Sequence, residues 1–174
     1  MNAHVQLRDG SVVALRPLER ADRAQLGEAI MRLSERSRYL RFASPMPVLR
    51  SADLDRLADV DHVDREALLA VDPATRWGVA VARYAQMPEE PGVADMAITV
   101  ADAWQGRGLG SLLLARIVLR ARENGYRELR ATTLAENRRA RALVRAAGFA
   151  VRGRDGPVIE YQRALALPSH SQLR

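Results

Sequence analysis

The sequence contains neither cysteine nor lysine. Without cysteine it has no disulfide, no thiolate zinc site and no cysteine that could carry an acyl group. Aromatic residues make up 5% of the chain, and no stretch interleaves them with basic residues in the way that stacks nucleic-acid bases. No apolar run reaches the ~20 residues of a membrane span. Met1 to Val5 is not a basic segment leading into an apolar one, so no secretory signal is expected. These absences predict a cytoplasmic protein with no nucleic-acid or membrane partner. The histidines His4, His62 and His170 lie far apart and none has metal-ligand spacing, so no metal is expected.

What is present in excess is arginine. All 27 basic residues are arginine, set against 21 acidic ones, for a net charge of +6. Such a charge attracts polyanions, including the phosphates of a ligand. The arginines are spread along the chain rather than clustered, which favours solvated helix faces instead. A chain of 174 residues with 48% apolar content has the size and the apolar surface for one domain. It is expected over residues 1–167, with a disordered tail over 168–174.

Hydrophobic periodicity orders the elements. Val5 and Leu7, the Asp9-Gly10 turn and Val12 to Leu15 predict a hairpin over residues 4–18. A 3.6-residue period over 19–33 predicts a helix, Ser34 to Phe42 a second helical piece, and Ser44-Pro45-Met46-Pro47 a break. Ser51 to Val60 reads as a short helix. Ala67–Val71, Trp77–Tyr84 and Val93–Ala101 read as strands. Leu109 to Asn124 reads as a helix buried nearly all round, with only Arg116, Arg120 and Glu123 as a polar stripe. A strand at Glu128–Leu134, a helix at Asn137–Ala147 and a hairpin from Phe149 to Leu165 complete the chain. The expected fold class is α/β (α+β), one mixed central β-sheet flanked by helices on both faces.

The most informative segment is Gln105-Gly106-Arg107-Gly108-Leu109-Gly110-Ser111, which joins a strand to a helix. The first turn of a helix has backbone N–H groups without helical partners. Glycines allow a phosphate to approach them closely, and the helix dipole favours its charge. The segment therefore suits a diphosphate. Its glycine spacing is neither that of a dinucleotide fold nor that of a nucleotide-triphosphatase loop.

The pattern Gln-x-x-Gly-x-Gly, met by Gln105, Gly108 and Gly110, resembles the acetyl-CoA signature of the GNAT superfamily of N-acetyltransferases. The segment from Asn137 to Leu143, followed by Gly148-Phe149, resembles the same family's asparagine-led helix. More narrowly, Ser37 to Phe42, Val60-Asp61 before Arg65 to Leu68, and Asp102 to Gln105 resemble the catalytic domain of bacterial protein lysine acetyltransferases. The resemblance implies a GNAT fold, acetyl-CoA as cosubstrate and an amine acceptor. It places the cofactor against Gln105, Gly106, Arg107, Gly108, Leu109, Gly110 and Ser111, with Asn137 and Ala140 on the second motif. It also implies that the strand before the glycine turn splays at Ile98, Thr99 and Val100 and binds the pantetheine arm.

Acetyl transfer to an amine requires a base, because a free lysine side chain has a pKa near ~10.4. The resemblance places that base at Asp95. Alternation sets Asp95, Ala97 and Thr99 on one strand face, so Asp95 is expected to face a cleft, with a water relaying the proton. The bland alternative is an exposed strand carboxylate. Asn137 has two compatible readings, a helix cap and a pantetheine contact. The position of the family's tyrosine acid is Val144, which has no proton to donate. Asp59, Asp61, Asp64 and Glu66 read as a solvated acidic loop or, more sharply, as an attractor for a cationic substrate. The expected activity is acetyl transfer to a protein lysine. A small-molecule amine acetyltransferase and a non-catalytic acyl-CoA sensor are the alternatives, and monomer and homodimer both stay open.

Overall fold

Residues 3–43 and 50–166 are described by the computed structural model. The predicted break at Ser44 to Pro47 and the predicted tail from Pro168 to Arg174 lie outside the described residues.

The first hairpin forms as its turn chemistry demands. Gly10 takes a φ of 85°, in the left-handed region that favours glycine. The Asp9 carboxylate accepts from both the N–H and the hydroxyl of Ser11. Strands β1 (Ala3–Gln6) and β2 (Val12–Pro17) pair antiparallel across this turn.

The helix expected over 19–33 is shorter and broken. A 3-10 turn at Arg20–Asp22 precedes α1 (Arg23–Met31). The reason is Asp22: its carboxylate accepts two bonds from Arg16 at 2.6 Å and one from the Glu19 N–H at 2.8 Å, which fixes a tight turn ahead of the helix. At the other end Ser34 accepts from the Ser37 N–H and starts α2 (Glu35–Phe42). Helix α3 spans Ser51–Ala58.

Six further strands follow: β3 (Arg65–Val71), β4 (Gly78–Gln86), β5 (Val93–Val100), β6 (Glu128–Leu134), β7 (Ala150–Asp155) and β8 (Val158–Ala164). The sheet order is β1-β2-β3-β4-β5-β6-β8-β7. The β5–β6 pair is parallel and the others are antiparallel. Parallel neighbours need a crossover, and α4 (Leu109–Glu123) supplies it. Helix α5 (Arg138–Ala146) links β6 to β7. Leu113, Leu114, Ile117 and Val118 of α4 pack in one core with Tyr84, Ala94, Met96 and Leu129. Leu26 and Ile30 of α1 pack in a second core with Leu18, Ala67 and Leu69. Helices thus cover both faces, as expected of this fold class.

Two expectations change. Helix α4 is not buried all round: Leu119 is 43% exposed, and Ser111, Ala115 and Arg116 are exposed with it. A helix lying on one sheet buries a single stripe, and nothing described covers the other side. Of the acidic stretch, Asp61 and Asp64 do lie exposed in a loop, but Glu66 does not. Asp61 accepts from the N–H groups of Val63, Asp64 and Arg65, and Asp64 accepts from the Tyr126 hydroxyl. Glu66 is 1% exposed. Its carboxylate accepts from Arg120 at 2.8 and 2.9 Å and from the Ala67 N–H, and it lies 2.8 Å from His62 Nδ1. Arg120, expected on the outer stripe, reaches inward to make this pair and ties α4 to β3.

Removing Glu66 leaves Arg120 with Glu123 alone, at 3.0 Å, and leaves the Ala67 N–H without its acceptor. Glu66→Ala is expected to lower stability by about 2 kcal/mol, less than for a fully enclosed pair because Arg120 can turn to water. For a domain of this size that is a fall of roughly 4–8 °C in Tm, read by thermal and urea unfolding.

Candidate active site

The site begins where two strands diverge. The parallel register of β5 and β6 runs only from Val93–Glu128 to Met96–Ala131. Beyond it β5 stays paired with β4 as far as Val100, while β6 stays paired with β8 as far as Leu134. The edge of β5 from Ala97 to Val100 therefore lies free on its β6 side. A cleft of about 960 Å³ opens there, at the upper end of the ~300–1,000 Å³ usual for small-molecule sites.

The glycine turn forms one wall. Gly106 and Gly108 have φ of 79° and 89°, conformations that strain any residue with a Cβ. The Gly108 carbonyl accepts the first helical bond, from the Leu112 N–H at 3.1 Å. The N–H groups of Leu109, Gly110 and Ser111 thus have no helical partner at the start of α4. A Cβ on Gly110 would lie 3.3 Å from Leu143, so this glycine lets α5 approach α4.

Side-chain tethers hold the walls in place. Gln105 donates its Nε2 to the Val100 carbonyl at 3.1 Å and to Ser37 Oγ at 3.2 Å, and its Oε1 accepts from Arg139 at 2.8 Å. The amide expected to meet the cofactor is fully engaged as a brace between β5, α2 and α5. Asp102 accepts from the Ser34 N–H, the Ser34 hydroxyl and the Ser37 hydroxyl at 2.9, 2.7 and 2.6 Å. Desolvation pushes its carboxyl up, but these bonds outweigh it and hold the group below the ordinary value. Asn137 caps α5, its Oδ1 accepting from the Ala140 N–H at 3.1 Å. Arg36 bridges the mouth to Glu136 at 2.7 Å.

The structure gathers most of the expected residues. Ile98, Thr99, Val100, Gln105, Gly106, Gly108, Gly110, Ser111, Asn137 and Ala140 line the cleft. The side chains of Arg107 and Leu109 do not. Arg107 pairs with Asp9 at 3.2 Å and lies 5.0 Å from the Trp104 ring centroid. Leu109 points into the core at 1% exposure, because it opens α4 on the helix's buried stripe. Asp95 also lies outside the cleft wall. It shares a strand face with Thr99, which does line the cleft, but sits four residues earlier, about 13 Å along the strand, where β5 is still paired on both sides. Val144 is buried in the core at 4% exposure. Asp61 and Asp64, bound into their loop, are not among the cleft residues.

Sequence reasoning missed that Arg8, Ser37, Leu40 and Arg41 also line the cleft. Arg8 comes from the turn of the first hairpin and lies against Gly108. The α2 residues carried a signal in their resemblance, but nothing local told which way that helix faces.

Asp95 remains open to water, yet the protein crowded around it desolvates its carboxyl and raises its pKa, while Arg41 and Arg130 pull in the opposite direction. Arg41 donates its Nε to Thr99 Oγ1 at 3.0 Å, and desolvation lowers its pKa. Arg83 is lowered to about 10, by desolvation first and then by repulsion from Arg41 and Arg65. Arg130 is held by Glu90 and Glu128. Among the described residues no group of three or more His, Cys, Asp or Glu side chains is placed to hold a metal ion. No described helix is long and apolar enough to cross a membrane.

Comparison with known proteins gives consistent results. The model of the Acetyltransferase (GNAT) family matches residues 35–149. The chain is 37% identical over 145 residues to Acetyltransferase PA5475 of Pseudomonas aeruginosa, covering 82% of this chain and 77% of that protein. It is 29% identical over 140 residues to Acetyltransferase Pat of Mycolicibacterium smegmatis, covering 80% of this chain but 42% of that protein, so it spans less than half of that relative. The crystal structure of the GNAT domain of S. lividans PAT superposes with a TM-score of 0.86 at 32% identity, over 94% of this chain and 97% of that domain.

Asp102 anchors the start of α2 to the loop below β5, so Asp102→Ala should loosen that wall. The expected loss is about 1 kcal/mol, small because the carboxylate is exposed to water. The sign of the pH dependence follows from the lowered folded-state value. The contribution is complete above the ordinary aspartate pKa of ~3.9 and disappears as pH falls through the lower folded one. Unfolding curves of wild type and variant should therefore converge in acid.

Proposed function

The chain belongs to the GNAT acetyltransferase family and is an N-acetyltransferase, and from that premise we propose that it transfers acetyl from acetyl-CoA directly to the side-chain amine of a protein lysine. The observation that carries the reading is that the free edge of β5 and the N-terminus of α4 open onto one cleft.

In this reading the cofactor's diphosphate lies against the N–H groups of Leu109, Gly110 and Ser111, with Gly106 and Gly108 leaving the backbone bare for it. Its pantetheine arm runs along Ile98, Thr99 and Val100. Asn137 and Ala140 flank it from α5. Gln105 and Arg107 hold the turn in shape rather than touch the ligand with their side chains. Bound there, acetyl-CoA supplies a thioester. A backbone N–H freed on β5 donates to the oxygen that gains charge. Asp95, reached through a water, takes the proton of the acceptor ammonium. Its raised pKa makes it a stronger base than an ordinary aspartate. Val144 has no proton to give, so water protonates the departing thiolate. The absence of cysteine supports direct transfer. The lysine acceptor is supported by the segment Ser37 to Phe42, whose Ser37, Leu40 and Arg41 face the cleft.

Gly108→Val should abolish acetyl-CoA binding in calorimetry, with a further ~1–3 kcal/mol of backbone strain at its positive φ. A variant that folds and binds with wild-type affinity would overturn the placement. Asp95→Asn should lower kcat by about 10²–10⁴ at neutral pH with little change in acetyl-CoA affinity. The deficit should shrink as pH approaches the ~10.4 at which a lysine amine is free unaided. In wild type the acid limb of the rate profile should lie above the ordinary aspartate value. The acceptor is tested by kcat/KM for a folded protein, its lysine peptide and spermidine. A preference for spermidine above about tenfold, or 1.4 kcal/mol, would replace the lysine reading by a small-amine one.

A further inference from the structure

The strand face that carries Asp95, Ala97 and Thr99 is met by two cations, Arg41 and Arg83, that form no ion pair with a described carboxylate, although the charge of Asp95 acts on Arg41 through space. The β4–β5 register sets Arg83 opposite Ala97, which makes Arg83 a diagonal neighbour of Asp95, roughly 7–8 Å away at Cα. From the covering helix, Arg41 reaches Thr99 Oγ1. Arg83 donates its Nη1 to the Leu57 carbonyl at 2.9 Å. Both of these acceptors are neutral. No described acidic side chain forms an ion pair with either guanidinium within 4.0 Å. Asp59 and Asp61 pair with Arg65, and Glu90 and Glu128 with Arg130; Asp95 is the one carboxylate whose charge acts on Arg41, without an ion pair.

Each guanidinium has five N–H donors in a planar fork suited to a carboxylate. One donor on each is used here by a neutral oxygen. Withdrawing such cations from water without a counter-ion is unfavourable, and these two also repel each other. The arrangement is relieved by an anion that arrives from outside. Ala97 lies between Asp95 and Thr99 with only a methyl group, so the floor of the face is low at that point. Along the face Asp95 stands at one end, Arg83 is opposite Ala97 in the middle, and Arg41 binds Thr99 at the other end.

We propose that Arg41 and Arg83 receive a carboxylate of the acceptor, so that the preferred acceptor carries an anionic group beside the amine that is acetylated. This rests on the reading of Asp95 as the group next to that amine. The carboxylate has two possible sources: an acidic residue flanking the target lysine, or the carboxylate of a small amino acid whose charges are several bonds apart.

The test uses the full chain with acetyl-CoA and compares kcat/KM for three peptides that differ only in the residue after lysine: Glu, Gln or Arg. In parallel it compares 5-aminopentanoate with pentylamine. The expected result is a preference of at least tenfold, about 1.4 kcal/mol, for the Glu peptide over the Gln peptide, or for 5-aminopentanoate over pentylamine. Whichever pair shows it identifies the source. Equal rates within both pairs overturn the proposal while leaving amine acetylation intact. No transfer to any of the five would instead remove the reading on which it rests. Arg83→Met keeps the aliphatic stem and removes the charge, and should bring the preference close to one, with Arg83→Lys intermediate. A folded Arg83→Met protein that keeps the full preference also overturns the proposal, and if that variant does not fold the wild-type ratios still decide.

Discussion

The site depends on two neighbouring parallel strands ceasing to be partners halfway along. Up to Met96 and Ala131, β5 and β6 satisfy each other's backbone groups. Beyond that point β5 holds only to β4, and β6 only to β8. A backbone group left bare inside a protein has to find another partner. The Val100 carbonyl finds the amide of Gln105, which also reaches Ser37 and Arg139 and so draws α2 and α5 toward the gap. Asp102 fixes the start of α2 to the loop that follows. The cleft is the space these tethers hold open, and Gly108, Gly110 and Ser111 at the start of α4 line it.

Arginine is the only strong cation in the sequence, and the fold uses it in two opposed ways. Arg16, Arg120 and Arg130 meet carboxylates and act as clasps between elements. Arg41 and Arg83 hydrogen-bond to neutral oxygens, Arg41 lying also over the Phe42 ring, beside a strand carboxylate, Asp95, that stays open to water. A guanidinium suits the second task because it stays protonated where an ammonium would shed its proton. A lysine at either position would itself be an amine close to the proposed site of acetyl transfer.

Local signals were legible in the sequence. The strand and helix order followed from periods of two and 3.6 residues. The glycine turn followed from the run of glycines between a strand and a helix, and Gly106 and Gly108 do take positive φ there; the start of α5 followed from an asparagine three residues before the N–H it caps. Helix boundaries were less legible. Residues 20–22 look helical by pattern, but the carboxylate of Asp22 is claimed by Arg16 from the preceding strand.

By itself, then, the sequence determined the element order, the fold class, the family and the glycine turn, because each is written in residues within a few positions of one another. Only the tertiary structure decided which charges are buried and which face the site. Glu66 and Arg120 are 54 residues apart and meet across the core, where both had looked solvated. Arg41 and Thr99 are 58 apart and meet at the cleft. Asp95 falls outside the cleft wall because β5 and β6 separate only after Met96, while β6 stays paired with β8 on its other side. Pairing partners and charge partners are chosen across the sheet, by contacts between segments that share no local pattern.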